Sequence, residues 1–296
     1  MKVIKPITIT NGMLLSSSAP ETDFAAWSAA TAYTLGAKVV RTSTHRIYQR
    51  LVAGTTATAP ESDPVNWLDI GPTNRWAMFD GEISTATTKA TSLAVTLAPG
   101  RASGLALIGL AGSDVTVSIV DTETGDTVYT ASTTLDAAII GDWYQYTYSP
   151  FRQMTEWVLS DLPPYSTAQI TVTITGTTTA CGALVLGEVY QLGGTLMGPR
   201  LGISDYSRKE TDEFGAVSFV RRAYARRLTV DAMFPLAELA PLQRLLSDLR
   251  ATPAVYIPAD GMLYAPMVIY GWYRDFGVTV AYSTHCLCSL ELEGLT

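Results

Sequence analysis

The sequence predicts a mainly β, multi-domain protein. Short alternating runs rich in Thr, Ser, Gly and β-branched residues fill its first two thirds, polar turn clusters separate them, and one strong helical pattern follows later. At 296 residues with 47% hydrophobic and 16% charged side chains, the chain can bury more than one core and is too apolar for disorder. Its apolar runs are too short to span a bilayer.

The N-terminal stretch MKVIKPITITNG alternates apolar and polar residues and reads as a strand or arm over 1–20, not as a secretory leader. Residues 21–72 form a small module, closed by the Gly/Pro-punctuated junction Asp69-Ile-Gly-Pro-Thr-Asn74. Residues 73–196 are predicted to form a β-sandwich. Val115–Val120, the polar turn 121–126 and Thr127–Thr130 make a hairpin, and Ile170–Thr175 repeats the alternation. Gly141–Thr147 with Tyr148 is read as a strand, Trp143 pointing one way and Tyr144, Tyr146 and Tyr148 the other, as sandwich packing or as a face for sugar or a partner subunit.

A second junction, Leu192–Pro199, opens an α+β domain over 197–296. Its one amphipathic helix is expected from near Pro235 to near Arg250, with Leu236, Leu239, Leu242, Leu245, Leu246 and Leu249 on one face. Strands are expected around Arg227–Ala232, Ala254–Ile257, Met267–Tyr270, Gly277–Tyr282 and Cys286–Leu292.

Trp27, Tyr33, Gly36, Val39, Tyr48, Pro60 and Trp67 follow one another in an order that resembles the small chitin-binding module of bacterial chitinases and cellulases, carbohydrate-binding module families five and twelve. The resemblance implies an aromatic-cored β module that stacks sugar rings on exposed aromatics. In those relatives the strand holding Tyr48 runs into two adjacent tryptophans, where this chain has Val52-Ala53. Tyr48, Trp27 and Trp67 are the candidate carbohydrate-binding residues. Trp27, Tyr33 and Trp67 are also expected to supply the core, so a spacer module and a sugar-binding one both stay open. The segments 74–81 and 187–193 resemble the first and last strands of galactose-binding-like jelly rolls. From Gly193 onward, GGTLMGPRLGISDYSRKETDEFGAVSFVRRAYARR, VIYGWYRDFG and SLELEGLT are similar to the C-terminal region of siphophage tail-tip proteins.

Chemistry-bearing residues are sparse. Two histidines, His45 and His285, stand in no nucleophile arrangement, and Asp114, Asp121, Asp126 and Asp136 read as turn residues, so no enzyme is expected. Cys286 and Cys288 alternate on one strand face, but they lack the second Cys/His pair that zinc needs and read as buried thiols; Asp80 and Glu188 alone are too few for calcium. No metal or cofactor is therefore expected. The formal charge is −7; residues 73–196 carry 4 basic and 11 acidic side chains, and residues 197–296 carry 10 and 11, which disfavours nucleic acid. Arg221, Arg222, Arg226 and Arg227 are read as an assembly interface.

Together these features imply a tail-tip or baseplate component in the virion, assembled in the host cytoplasm as a symmetric homo-oligomer with other phage tail proteins. Its outward β domains would meet host-surface glycan. The alternatives are a spacer without glycan binding and a secreted accessory to polysaccharide degradation.

Overall fold

The computed structural model describes residues 1–136, 142–148, 152–211, 213–215 and 217–295. In chain order the N-terminal segment supplies β1 (Lys2–Pro6) and β2 (Leu14–Ser17), and the small module holds β3 (Lys38–Arg41), β4 (Arg46–Arg50) and β5 (Trp67–Pro72). The next region contains β6 (Thr87–Leu97), β7 (Gly104–Ile108), β8 (Asp114–Asp121), β9 (Thr127–Thr134), helix α1 (Trp143–Tyr148), β10 (Glu156–Leu159), β11 (Ala168–Cys181) and β12 (Ala183–Gln191). The last region contains β13 (Gly194–Thr195), β14 (Arg200–Asp205), β15 (Arg208–Thr211), β16 (Val217–Val220), β17 (Tyr224–Pro235), helix α2 (Leu239–Asp248), β18 (Ala254–Ile257), β19 (Ile269–Thr279) and β20 (His285–Gly294). The molecule is mainly β, as its alternation implies.

A five-stranded sheet, β2-β6-β11-β8-β9, packs on one end of a ten-stranded sheet ordered β10-β7-β12-β1-β18-β19-β20-β17-β13, with β14 also paired to β17. Between them Leu93, Val95, Val117, Ile119, Ile170 and Val172 meet Leu105, Leu107, Leu184 and Leu186, the core of a β-sandwich. Farther along the ten-stranded sheet, Leu242, Leu246 and Leu249 of and beside α2 cover Val3, Leu228, Val230, Tyr256 and Leu290. The opposite face gathers Ile4, Ala106, Ile108, Val185, Val255 and Tyr270 into a third core.

The N-terminal segment, read from sequence as a strand or arm, is built into both sheets. Strand β1 pairs antiparallel with β12 on one side and with β18 on the other, so backbone pairing runs unbroken through the junction at 196. The small module lies between β2 and β6, an excursion from the sandwich.

Strands β10 and β17 stand first and eighth in the sheet order, roughly 30 Å apart if the sheet were flat. The guanidinium of Arg226 on β17 nevertheless pairs with the carboxylate of Glu156 on β10. The sheet must therefore curl until its margins meet, with the Ile4–Tyr270 core inside the curl. Close strand approach makes this possible: a Cβ on Gly187 would lie 1.8 Å from the Lys5 carbonyl oxygen, and one on Gly271 2.0 Å from that of Glu293.

Two elements of the last region differ from expectation. Helix α2 starts at Leu239 because β17 continues through Pro235 and a single tight turn, Leu236–Glu238, intervenes. The strands expected at Met267–Tyr270 and Gly277–Tyr282 are one long strand, β19, with a register shift between Tyr273 and Asp275.

Since Ile4 is wholly buried in the curl, Ile4→Ala should cost about 2–5 kcal/mol, and the sandwich and the α2 face should lose stability together in urea titration followed by tryptophan fluorescence and far-UV circular dichroism. Burial pushes the Glu156 carboxyl above its ordinary range, against the opposing pull of Arg226. A raised carboxyl contributes stability fully below its unfolded pKa, about 4.3, and that contribution is lost as pH rises through its folded value. Stability should fall across that window, and Glu156→Gln should flatten the slope in a urea series at stepped pH.

Candidate functional site

The small module has room for little aliphatic core, so aromatics and the stems of basic residues fill it. Val39, Tyr48 and Trp67 are buried, with Trp27 and Tyr33 packed partly buried against them. The Tyr33 ring meets Trp67 edge-on at 5.1 Å between centroids. Two arginines extend the stack. Arg50, only 3% exposed, lies 4.9 Å over Trp67, and Arg41 lies 4.9 Å over Trp27 while its guanidinium pairs with Glu61.

This corrects the candidate sugar residues. Tyr48 is 5% exposed because β4 is the central strand of β3-β4-β5 and turns that ring inward; Trp67 is 2% exposed, and Trp27 has Arg41 over its face. None of the three offers an open ring to a pyranose. Val52 and Ala53, at the places of the tryptophan pair in the module that this segment resembles, are exposed but aliphatic.

The arginine cluster divides in two. Arg221 and Arg222 are exposed between β16 and β17, whereas Arg226 is taken up by Glu156 of the same chain, so its assembly role is replaced by the seam. Arg227 is half-buried and lines a cavity of about 300 Å³ with Arg200, Arg274 and Glu291. The segment before the cluster carries a feature that no local motif marks. Strands β14 and β17 pair from Arg200↔Thr229 to Asp205↔Tyr224, and β15 and β16 continue outward as a two-stranded ribbon. All eight residues of β15 and β16 are exposed, Phe219 at 75%, with Val217 and Val220 beside it and Ile203 exposed nearer the base.

The aromatic run near 143 is helical, not extended. In α1, Tyr144 and Tyr148 are one turn apart with ring centroids at 4.8 Å, and Trp143, Tyr144 and Tyr148 are exposed, not packed in the sandwich. Part of that predicted strand, including residues 141 and 149–151 around it and the Tyr146 side chain, lies outside the described residues.

Cys286 and Cys288 are buried free thiols on the α2 side of β20, and burial pushes the Cys288 thiol up to about 11, so it keeps its proton near neutrality. The Asp80 carboxylate accepts from the Glu82 amide and the Thr85 hydroxyl, and Glu188 accepts from the Tyr190 hydroxyl. Among the described residues no group of three or more His, Cys, Asp or Glu is placed to hold a metal.

Where the module meets the sandwich, the Glu21 carboxylate bonds Nδ1 of His45 at 2.8 Å and accepts from the Thr73 hydroxyl at 3.0 Å. The His45 ring stacks on Trp76 at 4.3 Å, and the Thr73 amide donates to the His45 carbonyl. His45 takes the left-handed conformation, φ 57°, in the β3–β4 turn, and this presents its ring to the linker.

No protein-family model matches this chain, and no curated protein matches it either.

Because Tyr48 and Trp67 are both core, Tyr48→Ala and Trp67→Ala should each destabilise the module by roughly 3–5 kcal/mol. Near-ultraviolet circular dichroism and limited proteolysis within 21–72 should report both losses. A Tyr48→Ala protein with an intact module would show that its ring does not support the core.

Proposed function

We propose that this protein is a non-enzymatic structural subunit of a bacteriophage tail tip or baseplate. It assembles as a symmetric ring with copies of itself and with other tail proteins, and the small module faces outward. The observation that carries the reading is the ribbon β15–β16. An isolated two-stranded hairpin is marginal in water, and this one exposes Val217, Phe219 and Val220 along its length. Such a ribbon gains its missing contacts from a neighbouring subunit, and Arg221 and Arg222 at its return can pair with acidic groups there. The similarity of residues 193–227 to siphophage tail-tip sequences supports the tail location.

The outward part then either meets host-surface glycan or acts as a spacer. Burial of Tyr48 and Trp67 favours a spacer role for the ring positions inherited from the chitin-binding pattern. Any glycan contact must use another surface.

The assembly reading is tested by replacing residues 207–222 with Asn-Gly, which closes β14 and β17 as a short hairpin. Light scattering should find the wild-type chain in a multi-subunit ring and the shortened chain as a monomer with unchanged thermal unfolding. Antibody against the chain should label virions at the tail tip. Identical masses for the two proteins would remove the arm from assembly.

A further inference from the structure

The arm β15–β16 and the strands at its base present two different surfaces. At the base, β14, β17, β19 and β20 wall a hollow of about 300 Å³ whose lining holds three arginines, Arg200, Arg227 and Arg274, and one carboxylate, Glu291. The arginine ion pairs of the described residues belong to Arg41, Arg46, Arg75, Arg208 and Arg226, so these three have none. Glu293, the register partner of Arg227, accepts from the Tyr206 hydroxyl instead. In a chain of formal charge −7, three unpaired guanidiniums at one hollow attract an acidic partner. Gly202 leaves the hollow open: it is paired with Arg227 across β14 and β17, and a side chain placed on it would meet nothing within 4 Å.

The tip of the arm has the complementary character. The turn that joins β15 to β16 exposes Glu213 and Phe214, the latter at 95%. At about 3.3 Å per residue, a straight ribbon carries this turn roughly 25 Å beyond Asp205↔Tyr224, the last pair of β14 with β17. The hollow lies on the other side of that pair, at Arg200–Ile203, so a straight arm points away from the hollow of its own chain. A carboxylate that reaches guanidiniums makes charge-assisted, two-pronged hydrogen bonds. Leu201 and Ile203, exposed among the residues that line the hollow, offer apolar surface to the neighbouring phenylalanine.

We infer that the arm is received by a second copy of this chain, Glu213 entering the hollow of Arg200, Arg227 and Arg274 and Phe214 packing on Leu201 and Ile203. Tip and hollow are different surfaces, so the contact is heterologous: each copy gives one arm and receives one, and the succession of contacts closes as a ring. The inference rests on the proposed ring assembly and names the surface that takes the arm.

The experiment uses the full chain. Phe214→Cys and Gly202→Cys are made separately, one of them with an affinity tag, and mixed under mild oxidation; Cys181, Cys286 and Cys288 are buried and do not compete. The expected product is a disulfide-linked pair with one chain of each kind, formed in preference to either like pair. Glu213→Arg, and separately Arg200→Glu with Arg274→Glu, should raise the concentration at which the ring dissociates by roughly tenfold or more in light scattering, with unchanged thermal unfolding. All three changes in one chain should restore the wild-type mass. Gly202→Phe, which fills the hollow from an open position, should act as the charge reversals do. A ring that needs the arm, yet keeps its mass in all of these variants and gives no mixed disulfide, would overturn the hollow while leaving the arm in assembly. A disulfide formed only within a chain that carries both cysteines would overturn the second copy as occupant. Saturable binding of inorganic phosphate, lost in the arginine variant and without any mixed disulfide, would assign the hollow to a free anion and overturn the inference. A monomeric wild-type chain would overturn the ring reading and this inference with it.

Discussion

Five residues, Lys2–Pro6, are the hinge on which the architecture turns. A strand buried on both faces and paired on both edges has no free side, and β1 is such a strand: Val3 enters the core under α2, Ile4 enters the curl, and β12 and β18 take its two edges. Hydrophobic burial and backbone pairing act on the same residues, so the sandwich and the C-terminal region share one sheet. Lys2 and Lys5 add ion pairs with Asp260 and Asp248 at 2.9 and 3.1 Å, though such exposed pairs contribute little beside the burial.

The curl follows from that continuity. Ten strands in one sheet twist strongly, and small residues on its inner face let the twist close. Ala106, Ala183 and Gly104 leave space that Ile4 and Val189 fill, and Arg226 then meets Glu156 across the opening. Strands β15 and β16 lie off both large sheets as a ribbon of their own, with Val217, Phe219 and Val220 exposed on it.

The small module meets the opposite problem, having too few residues to close a core. Arginine over tryptophan substitutes for aliphatic bulk, since the guanidinium plane covers a ring face while its stem excludes water. The arrangement covers the aromatic faces on which a sugar ring could stack. The same module also lends His45 to the junction, where a strained turn, a buried carboxylate and a stacked tryptophan hold the linker.

Local alternation alone determined much of this protein. The hairpin β8–β9, the strand β18, the leucine face of α2 and the aromatic composition of the module's core are all readable from side-chain period and turn residues, because those signals act within a few neighbours along the chain. The tertiary structure decided what depends on distant partners. Met267–Tyr270 and Gly277–Tyr282 read as two strands, yet Ile269–Thr279 forms the single strand β19, where the Glu293 carbonyl leaves no room for a side chain on Gly271. Tyr48 reads as a candidate sugar-binding ring, but its position on a central strand turns it inward. Arg226 belongs to a basic run in sequence and to Glu156 in space, seventy residues away. No local pattern encodes that sheet margins will meet or that β1 will be taken between β12 and β18. Those outcomes are set by the closing of the large sheet, a property of all its strands at once.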